Sequence, residues 1–247
     1  VWFFAVGQGD AVLVETPGGK HVLIDGGPDR TVLTKVGQTL PPWKRRLDAL
    51  VLTHPDADHV TGLAAVLERY AVDVVYESGR RGGSGADRFL AEWDVRRESV
   101  RAGDTFELDG VRFDVLWPDY DPRAFASGNA ASVVLRLTFG ETSILLTGDI
   151  EKAEERALAA ALPPTDVLKI AHHGSATSSD PAFLDAAQPA FAVVQAGEGN
   201  AFGHPVPLVV DRLRQRGIRL WRTDADGDVV LRAAGGEPIL EARPLPF

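Results

Sequence analysis

A chain of 247 residues with 45% hydrophobic content can bury a large core, and its formal charge of −9 excludes a protein that coats duplex nucleic acid through a broad basic face. Cysteine is absent, which excludes disulfides and thiolate–zinc sites, so any metal must rest on histidine and carboxylate. No apolar run reaches the length of a membrane span and no signal peptide is present; residue 1 is Val and methionine is absent, so the sequence reads as a fragment of something longer.

Residues 1–25 read as three strands: apolar Val1–Val6, partly alternating Ala11–Thr16, and His21–Asp25 running into Gly26-Gly27, with a tight turn at Pro17-Gly18-Gly19. Asp29–Leu40 reads as a short helix stopped by Pro41-Pro42. The apolar run Leu47–Leu52 reads as a buried strand, and Leu63, Val66 and Leu67 set the period of a helix over Val60–Arg69. Strand Val72–Tyr76 follows. Gly79–Gly85 is basic and glycine-rich but lacks the Gly-Lys-Ser/Thr ending of a phosphate-binding loop, so it reads as a mobile loop before helix Ala86–Trp93. Asp104–Leu108 and Val111–Trp117 form a hairpin closed by Asp109-Gly110.

The second half repeats the plan. Strands Ala131–Phe139 and Thr142–Thr147 flank Gly140-Glu141, helix Glu151–Leu162 ends at Pro163-Pro164, and strand Asp166–Ile170 runs into Ala171-His172-His173-Gly174-Ser175. Helix Pro181–Ala187, strand Ala190–Gln195, helix Pro207–Arg216, and strands near Ile218–Trp221, Asp228–Arg232 and Ile239–Ala242 complete the chain. Two packed sheets with helices outside cover this much strand surface, which predicts one α+β domain over residues 1–247, a four-layer αββα sandwich with two similar halves.

Thr53-His54-Pro55-Asp56-Ala57-Asp58-His59 packs four potential metal ligands onto a short loop between a buried strand and a helix. Three further polar clusters also follow apolar strands: Asp25-Gly26-Gly27, Thr147-Gly148-Asp149 and His172-His173-Gly174-Ser175. Ligands at neighbouring strand exits, far apart in sequence, are what a shared site at the edge of a sheet sandwich requires.

Other signals are weaker. Gln8-Gly9-Asp10 reads as a turn, with Asp10 free to cap it or to bind near the site. His21 reads as structural. His204, in Phe202-Gly203-His204-Pro205, either packs behind Pro205 or faces the site. Asp224-Asp226-Gly227-Asp228 resembles the front of a calcium loop but has Gly235 where the closing Glu belongs, so it reads as a hairpin turn. Lys169 and Ser175 flank the double histidine, placed either to touch a phosphate or to pack behind the ligands. Arg212, Arg214, Arg216 and Arg219 read as a solvated face, and the tryptophans as core.

The motifs IDGG, THPDADH, TGD and HHGS together resemble the metallo-β-lactamase fold, a superfamily of di-metal hydrolases. FFAVGQGDAVLVETPGGKHVLIDGG, LVLTHPDADHVTGL, ILLTGDIE, VLKIAHHGSATSS and WRTDADGDVVL, from Val1 to Leu231, resemble more narrowly the hydrolase-like domain of ComEC, a membrane protein of DNA uptake in natural competence. The resemblance implies that His54, Asp56, Asp58 and His59 are ligands, that Asp149 bridges two ions, and that Asp25 orients the ligand loop from behind. It implies that His172 or His173 is the last ligand, with His172 preferred. Two departures stand out: Asp56 replaces the usual His, and the usual lone His before the bridging Asp is missing, with Gly128-Asn129 and Ser132 in its place. One metal position is therefore oxygen-rich, which favours Mn²⁺ first and Zn²⁺ second for the two divalent ions.

The chemistry so implied is hydroxide attack on a phosphodiester between ions roughly 3.5–4 Å apart, with Asp58 ligating or orienting the hydroxide and His173 or His204 supplying a proton. The resemblance further implies single-stranded DNA as substrate, degradation of the strand that is not imported, and a partner in the membrane-channel part of the same full-length protein. It places the domain on the extracytoplasmic face of a bacterial plasma membrane. Two other readings use the same residues: a hydrolase of a small ester or cell-wall phosphodiester, and a non-catalytic domain with a degenerate site that guides DNA.

Overall fold

A computed structural model describes residues 1–82, 92–233 and 238–243. The predicted helix Ala86–Trp93 and the end of the Gly79–Gly85 loop lie outside the described residues, save for their flanks. The first half runs β1 (Trp2–Phe3), β2 (Val12–Glu15), β3 (His21–Ile24), α1 (Thr31–Thr39), β4 (Arg46–Leu47), β5 (Ala49–Leu52), α2 (Ala57–Arg69), β6 (Ala71–Val72), β7 (Val75–Glu77) and β8 (Arg97–Ser99). The second runs β9 (Thr105–Leu108), β10 (Val111–Trp117), β11 (Val134–Phe139), β12 (Thr142–Leu146), α3 (Lys152–Ala159), β13 (Val167–Lys169), α4 (Pro181–Ala187), β14 (Phe191–Val194), α5 (Pro207–Gln215) and β15 (Arg219–Arg222). A single turn, α6 (Thr223–Asp226), then leads to β16 (Asp228–Arg232) and β17 (Ile239–Arg243).

The strands form an eight-stranded sheet ordered β17-β16-β1-β2-β3-β5-β7-β8 and a seven-stranded sheet ordered β15-β14-β13-β12-β11-β10-β9, beside a small β4-β6 pair. Each large sheet joins an antiparallel meander to a parallel run, β3-β5-β7-β8 in one and β12-β13-β14-β15 in the other. That repeated plan is the likeness between the halves.

Alternation along the strands builds the layers. Val12, Val14, Val22, Ile24 and Val51 meet Phe113, Leu135, Ile144, Val167 and Val193 between the sheets. The intervening Leu13, Leu23, Leu50 and Leu52 face the other way, onto Val32, Val36, Leu63 and Val66 of α1 and α2. Leu145, Leu168 and Ala192 likewise meet Phe183, Leu184, Val209 and Leu213 of α4 and α5. Both faces of each central strand are buried, so these strands read as unbroken apolar runs. Each large side chain so buried contributes about 1.5–3 kcal/mol, and the four-layer αββα sandwich follows.

Three expectations are corrected, and one strand is added. Helix α2 begins at Ala57, so Asp58 and His59 stand on its first turn and not on a loop. Asp224-Asp226-Gly227-Asp228 is not a hairpin turn: α6 carries the chain from β15 in one sheet to β16 in the other. Arg97–Ser99, a stretch given no element above, is an edge strand without an apolar pattern, held by backbone pairing to β7 and by Arg97 Nε donating to Glu77 at 3.2 Å. Trp43 is 81% exposed and not core. The β9–β10 hairpin matches its sequence, with positive φ at both Asp109 and Gly110, the geometry of a type I′ turn.

Candidate metal centre

Parallel pairing sends the exits of β3 and β5, and of β12, β13 and β14, to the same end of their sheets. There they deliver Asp25, Thr53-His54, Thr147-Gly148-Asp149, Ala171-His172-His173 and Gln195. Helix α2 is drawn tightly against the β3 exit: a Cβ on Gly62 would fall 1.9 Å from the Gly26 carbonyl oxygen, so no other residue fits there.

The first ligand loop is fixed by one buried carboxylate. Asp25 accepts from the Thr53 amide at 2.9 Å, from the Thr53 hydroxyl at 2.7 Å and from His59 Nδ1 at 2.8 Å. With its Nδ1 so engaged, His59 turns Nε2 to the centre, 3.3 Å from Asp149 Oδ2. Because the Thr53 proton goes to Asp25, His54 Nδ1 at 3.0 Å must donate to Thr53 Oγ1, which leaves the His54 Nε2 lone pair free. Asp56 is half-exposed, 3.9 Å from His54 Nε2, and a Cβ on Gly128 would fall 2.8 Å from its Oδ1. The Gly128-Asn129 segment thus leaves room for the Asp56 carboxylate at the rim.

The second ligand loop is unusual. Both His172 (φ 50°, ψ 45°) and His173 (φ 53°, ψ 19°) adopt left-handed backbone, which sends adjacent imidazoles to different places. His173 is buried, donates Nδ1–H to the Gln195 carbonyl at 3.0 Å, and brings Nε2 within 3.2 Å of Asp58 Oδ2 and 3.3 Å of Asp149 Oδ2. His172 lies at the rim, its Nδ1 3.2 Å from Thr177 Oγ1 and its Nε2 3.5 Å from Asn129 Nδ2. Of the two candidates for last ligand, the left-handed turn thus aims His173, and not the preferred His172, at Asp58, His59 and Asp149. Ser175 reaches this centre only through Thr177, whose hydroxyl lies 3.0 Å from its own.

Of two further residues of the centre, Asp10 was left open between a turn and the site, and Gln195 escaped the sequence reading. Asp10 is buried, contacts the Lys169 ammonium, and lies 3.3 Å from His173 Nδ1. Gln195 is fully buried, and its amide clamps the carbonyls of Phe4 at 3.0 Å and Ala11 at 2.9 Å while its own carbonyl holds His173. The β2–β3 register pairs Val12 with Ile24, which already sets Asp10 beside Asp25-Gly26; that register was the available signal. Lys169 is itself buried, donating to the Gly148 carbonyl at 3.1 Å and lying 3.7 Å from Asp149 Oδ1, so it packs behind the ligands and does not face a substrate.

Electrostatics show what the centre demands. Burial opposes charge on His59 and His173, yet Asp149 with Asp25 around one and with Asp10 around the other push both imidazoles well above their usual pKa. Burial likewise opposes ionisation of Asp149, and the charges of His173 and His59 overcome it and hold its pKa well below the carboxylate range. Asp58, despite partial burial, is held down to about 2 by its bond from His173. Burial, helped by the charge on His59, lowers His54 to about 3 and leaves it neutral. Burial and the neighbouring His173 and His172 also lower the pKa of His204. Without an ion, protons on two buried imidazoles supply the positive charge that these carboxylates require.

The donor set fits a divalent cation. One ligand atom each from Asp58, His59, Asp149 and His173 lie within 4.8 Å of one another. His54 Nε2, His59 Nε2 and Asp149 Oδ1 are buried without a hydrogen-bond partner, the state expected of atoms built to meet a metal. Asp10, Asp25 and His59 converge as closely. Those atoms are spent on Lys169, on Thr53 and on each other, so that group orients ligands instead of holding an ion.

The family model of the metallo-beta-lactamase superfamily matches residues 5–198. ComE operon protein 3 of Bacillus subtilis (strain 168) is 32% identical over 257 residues, covering 92% of this chain and 32% of that protein. Competence protein ComA of Neisseria gonorrhoeae is 36% identical over 225 residues, covering 90% of this chain and 30% of that one. The chain thus spans about a third of the length of either relative. Among solved structures, the metallo-beta-lactamase fold protein YhfI from Bacillus subtilis aligns with a TM-score of 0.58 at 13% identity, over 90% of this chain and 95% of that one.

Proposed function

This chain belongs to the metallo-β-lactamase superfamily, whose fold binds divalent metals, and on that premise we propose that it is a metal-dependent phosphodiesterase that cuts DNA. The observation that carries the reading is the convergence of Asp58, His59, Asp149 and His173 on one point, with the free Nε2 of His54 beside them. A divalent ion bound there lowers the pKa of water and offsets the charge that builds on phosphoryl oxygens. Asp149, central to both imidazole contacts, bridges the ligands from the two loops. Asp58 is the half-buried member, its side chain 36% exposed, and as an ionised carboxylate it is placed to ligate an ion or to orient attacking water on the open side. His54 and Asp56, 3.9 Å apart, would with Asp149 hold a second ion at an oxygen-rich position, which favours Mn²⁺ ahead of Zn²⁺.

Kinship with proteins named for competence supports DNA as the substrate, and degradation of the strand that is not imported as the task. A net charge of −9 suits a single strand threaded to the centre better than a duplex held by a basic face. The same kinship supports a place in a longer membrane protein, beside its channel part on the extracytoplasmic face. Among the described residues no helix is long and apolar enough to cross a membrane.

The test is cleavage of labelled single-stranded DNA by this chain with Mn²⁺, Zn²⁺, Mg²⁺ or chelator, alongside Asp149→Ala. Mn²⁺-dependent cutting that chelator and the substitution each abolish is expected. Cutting by Asp149→Ala at the wild-type rate overturns the site. Turnover of a small chromogenic phosphodiester with no cutting of DNA under any ion overturns the substrate.

A further inference from the structure

Phe202 is 69% exposed. Its ring stacks on His204, with centroids 5.7 Å apart and planes 23° apart. His204 lies 6.0 Å from His172, and His172 lies 6.2 Å from His173. The row continues inward through His59 at 5.4 Å to His54 at a further 4.1 Å. A succession of rings therefore leads from an exposed phenyl to the buried His54.

The loop that presents Phe202 is tied down on both sides. Asn200 Nδ2 donates to the Gly197 carbonyl at 2.9 Å and to the His204 carbonyl at 2.6 Å, and Asn200 Oδ1 accepts from the His204 amide at 3.0 Å. The Val206 amide donates to the Gly174 carbonyl at 3.0 Å, which fastens the loop to the double-histidine turn. A large apolar ring held in water by a braced loop forgoes about 1.5–3 kcal/mol of burial. An aromatic ligand laid on its open face would recover part of that.

We propose that Phe202, backed by His204, is a stacking platform for the base of a nucleotide flanking the phosphate held at Asp58, His59, Asp149 and His173, an inference that rests on the DNA-cleaving reading above. Base stacking on an exposed ring tolerates any sequence, since every base offers a π-face, and it needs no basic groove. It gives an acidic protein a way to hold single-stranded DNA in register without binding the backbone at large.

The experiment compares kcat/KM with Mn²⁺ on an oligothymidylate and on an abasic deoxyribose-phosphate oligomer of equal length, for wild type, Phe202→Ala, Phe202→Leu and Phe202→Trp. Stacking worth about 1–3 kcal/mol gives wild type a preference of about 5- to 150-fold for the base-bearing strand. Phe202→Ala and Phe202→Leu lose most of that preference, and Phe202→Trp keeps it. Equal cutting of both oligomers by wild type, or equal slowing of both by Phe202→Ala, overturns the platform while the nuclease reading stands. Failure of wild type to cut either strand removes the nuclease reading and the platform with it.

Discussion

The two ligand loops are each held from behind by a buried carboxylate, and the two carboxylates differ in what they touch. Asp25 takes two bonds from Thr53 and one from the His59 imidazole, so it is wired to a ligand. Glu155, on α3, accepts the Ser179 amide at 2.8 Å and the Asp180 amide at 2.7 Å, in the segment that follows the double histidine. Ser178 in turn bonds the Ala171 carbonyl at 2.8 Å, so the hold on His173 is indirect. Burial raises the pKa of both acids, and Glu155, with no imidazole beside it, is pushed up to about 7. A carboxylate wired to a ligand answers to the ion, whereas one that holds only backbone amides answers to pH.

The largest effect is expected at Asp25. Asp25→Ala leaves His59 Nδ1 and the Thr53 donors buried without an acceptor, a loss of about 3–5 kcal/mol by denaturant unfolding. Asp25→Asn retains part of the hold, and its Mn²⁺ affinity falls by about 10- to 100-fold. A mild loss in Asp25→Ala with unchanged ion affinity breaks the contrast with Glu155.

Lys169→Met comes next. It strips Asp10 and Asp149 of their buried ammonium, whose own pKa those carboxylates raise against the effect of burial. The chelated variant is expected to lose about 3 kcal/mol or more, and saturating Mn²⁺ to recover part of it by neutralising the same carboxylates. An equal loss with and without the ion would place Lys169 outside the electrostatic unit.

At Glu155 the sign follows from linkage. Its folded pKa of about 7 stands above the ordinary 4.5, so the folded state holds the proton more tightly. That stability is fully present below about pH 4.5 and is lost as pH rises through about 7, to the extent of about 3 kcal/mol. Glu155→Gln removes the titration. The difference between variant and wild-type unfolding free energies should therefore shift by about that amount across the window, while the metal ligands' own titrations cancel. Parallel curves would show that the backbone bonds from Ser179 and Asp180 already hold Glu155 ionised.

Most of the fold was legible because its central strands are buried on both faces and therefore read as apolar runs. The first ligand loop was legible for a related reason, since four potential ligands, two His and two Asp, crowd between such a run and the apolar period of a helix. What escaped depends on partners far apart in sequence. Asp10 looks like a turn residue until the β2–β3 register sets it beside Asp25 and the sandwich brings Lys169 to it. The strand Arg97–Ser99 has no apolar pattern to read, because backbone pairing to β7 and the Arg97–Glu77 ion pair hold it. The choice between His172 and His173 lies in two φ angles that no residue type there announces.

That last point can be tested with glycine at each position in turn. Both residues occupy left-handed backbone, so His172→Gly and His173→Gly relieve a similar strain of about 1 kcal/mol, and the difference between them isolates the side chains. His172→Gly loses a bond with Thr177, a pairing with Glu151 at 3.3 Å, a long contact with Asn129 and the ring contact with His204, all at the rim, which about cancels the relief, and net stability moves by less than about 1 kcal/mol. His173→Gly removes an imidazole that Asp58, Asp149 and the Gln195 carbonyl share, so Mn²⁺ affinity measured by calorimetry falls by at least about 10-fold. If His172→Gly instead loses the ion and His173→Gly keeps it, the second loop turns over when metal binds. The left-handed pair would then be the hinge of that change.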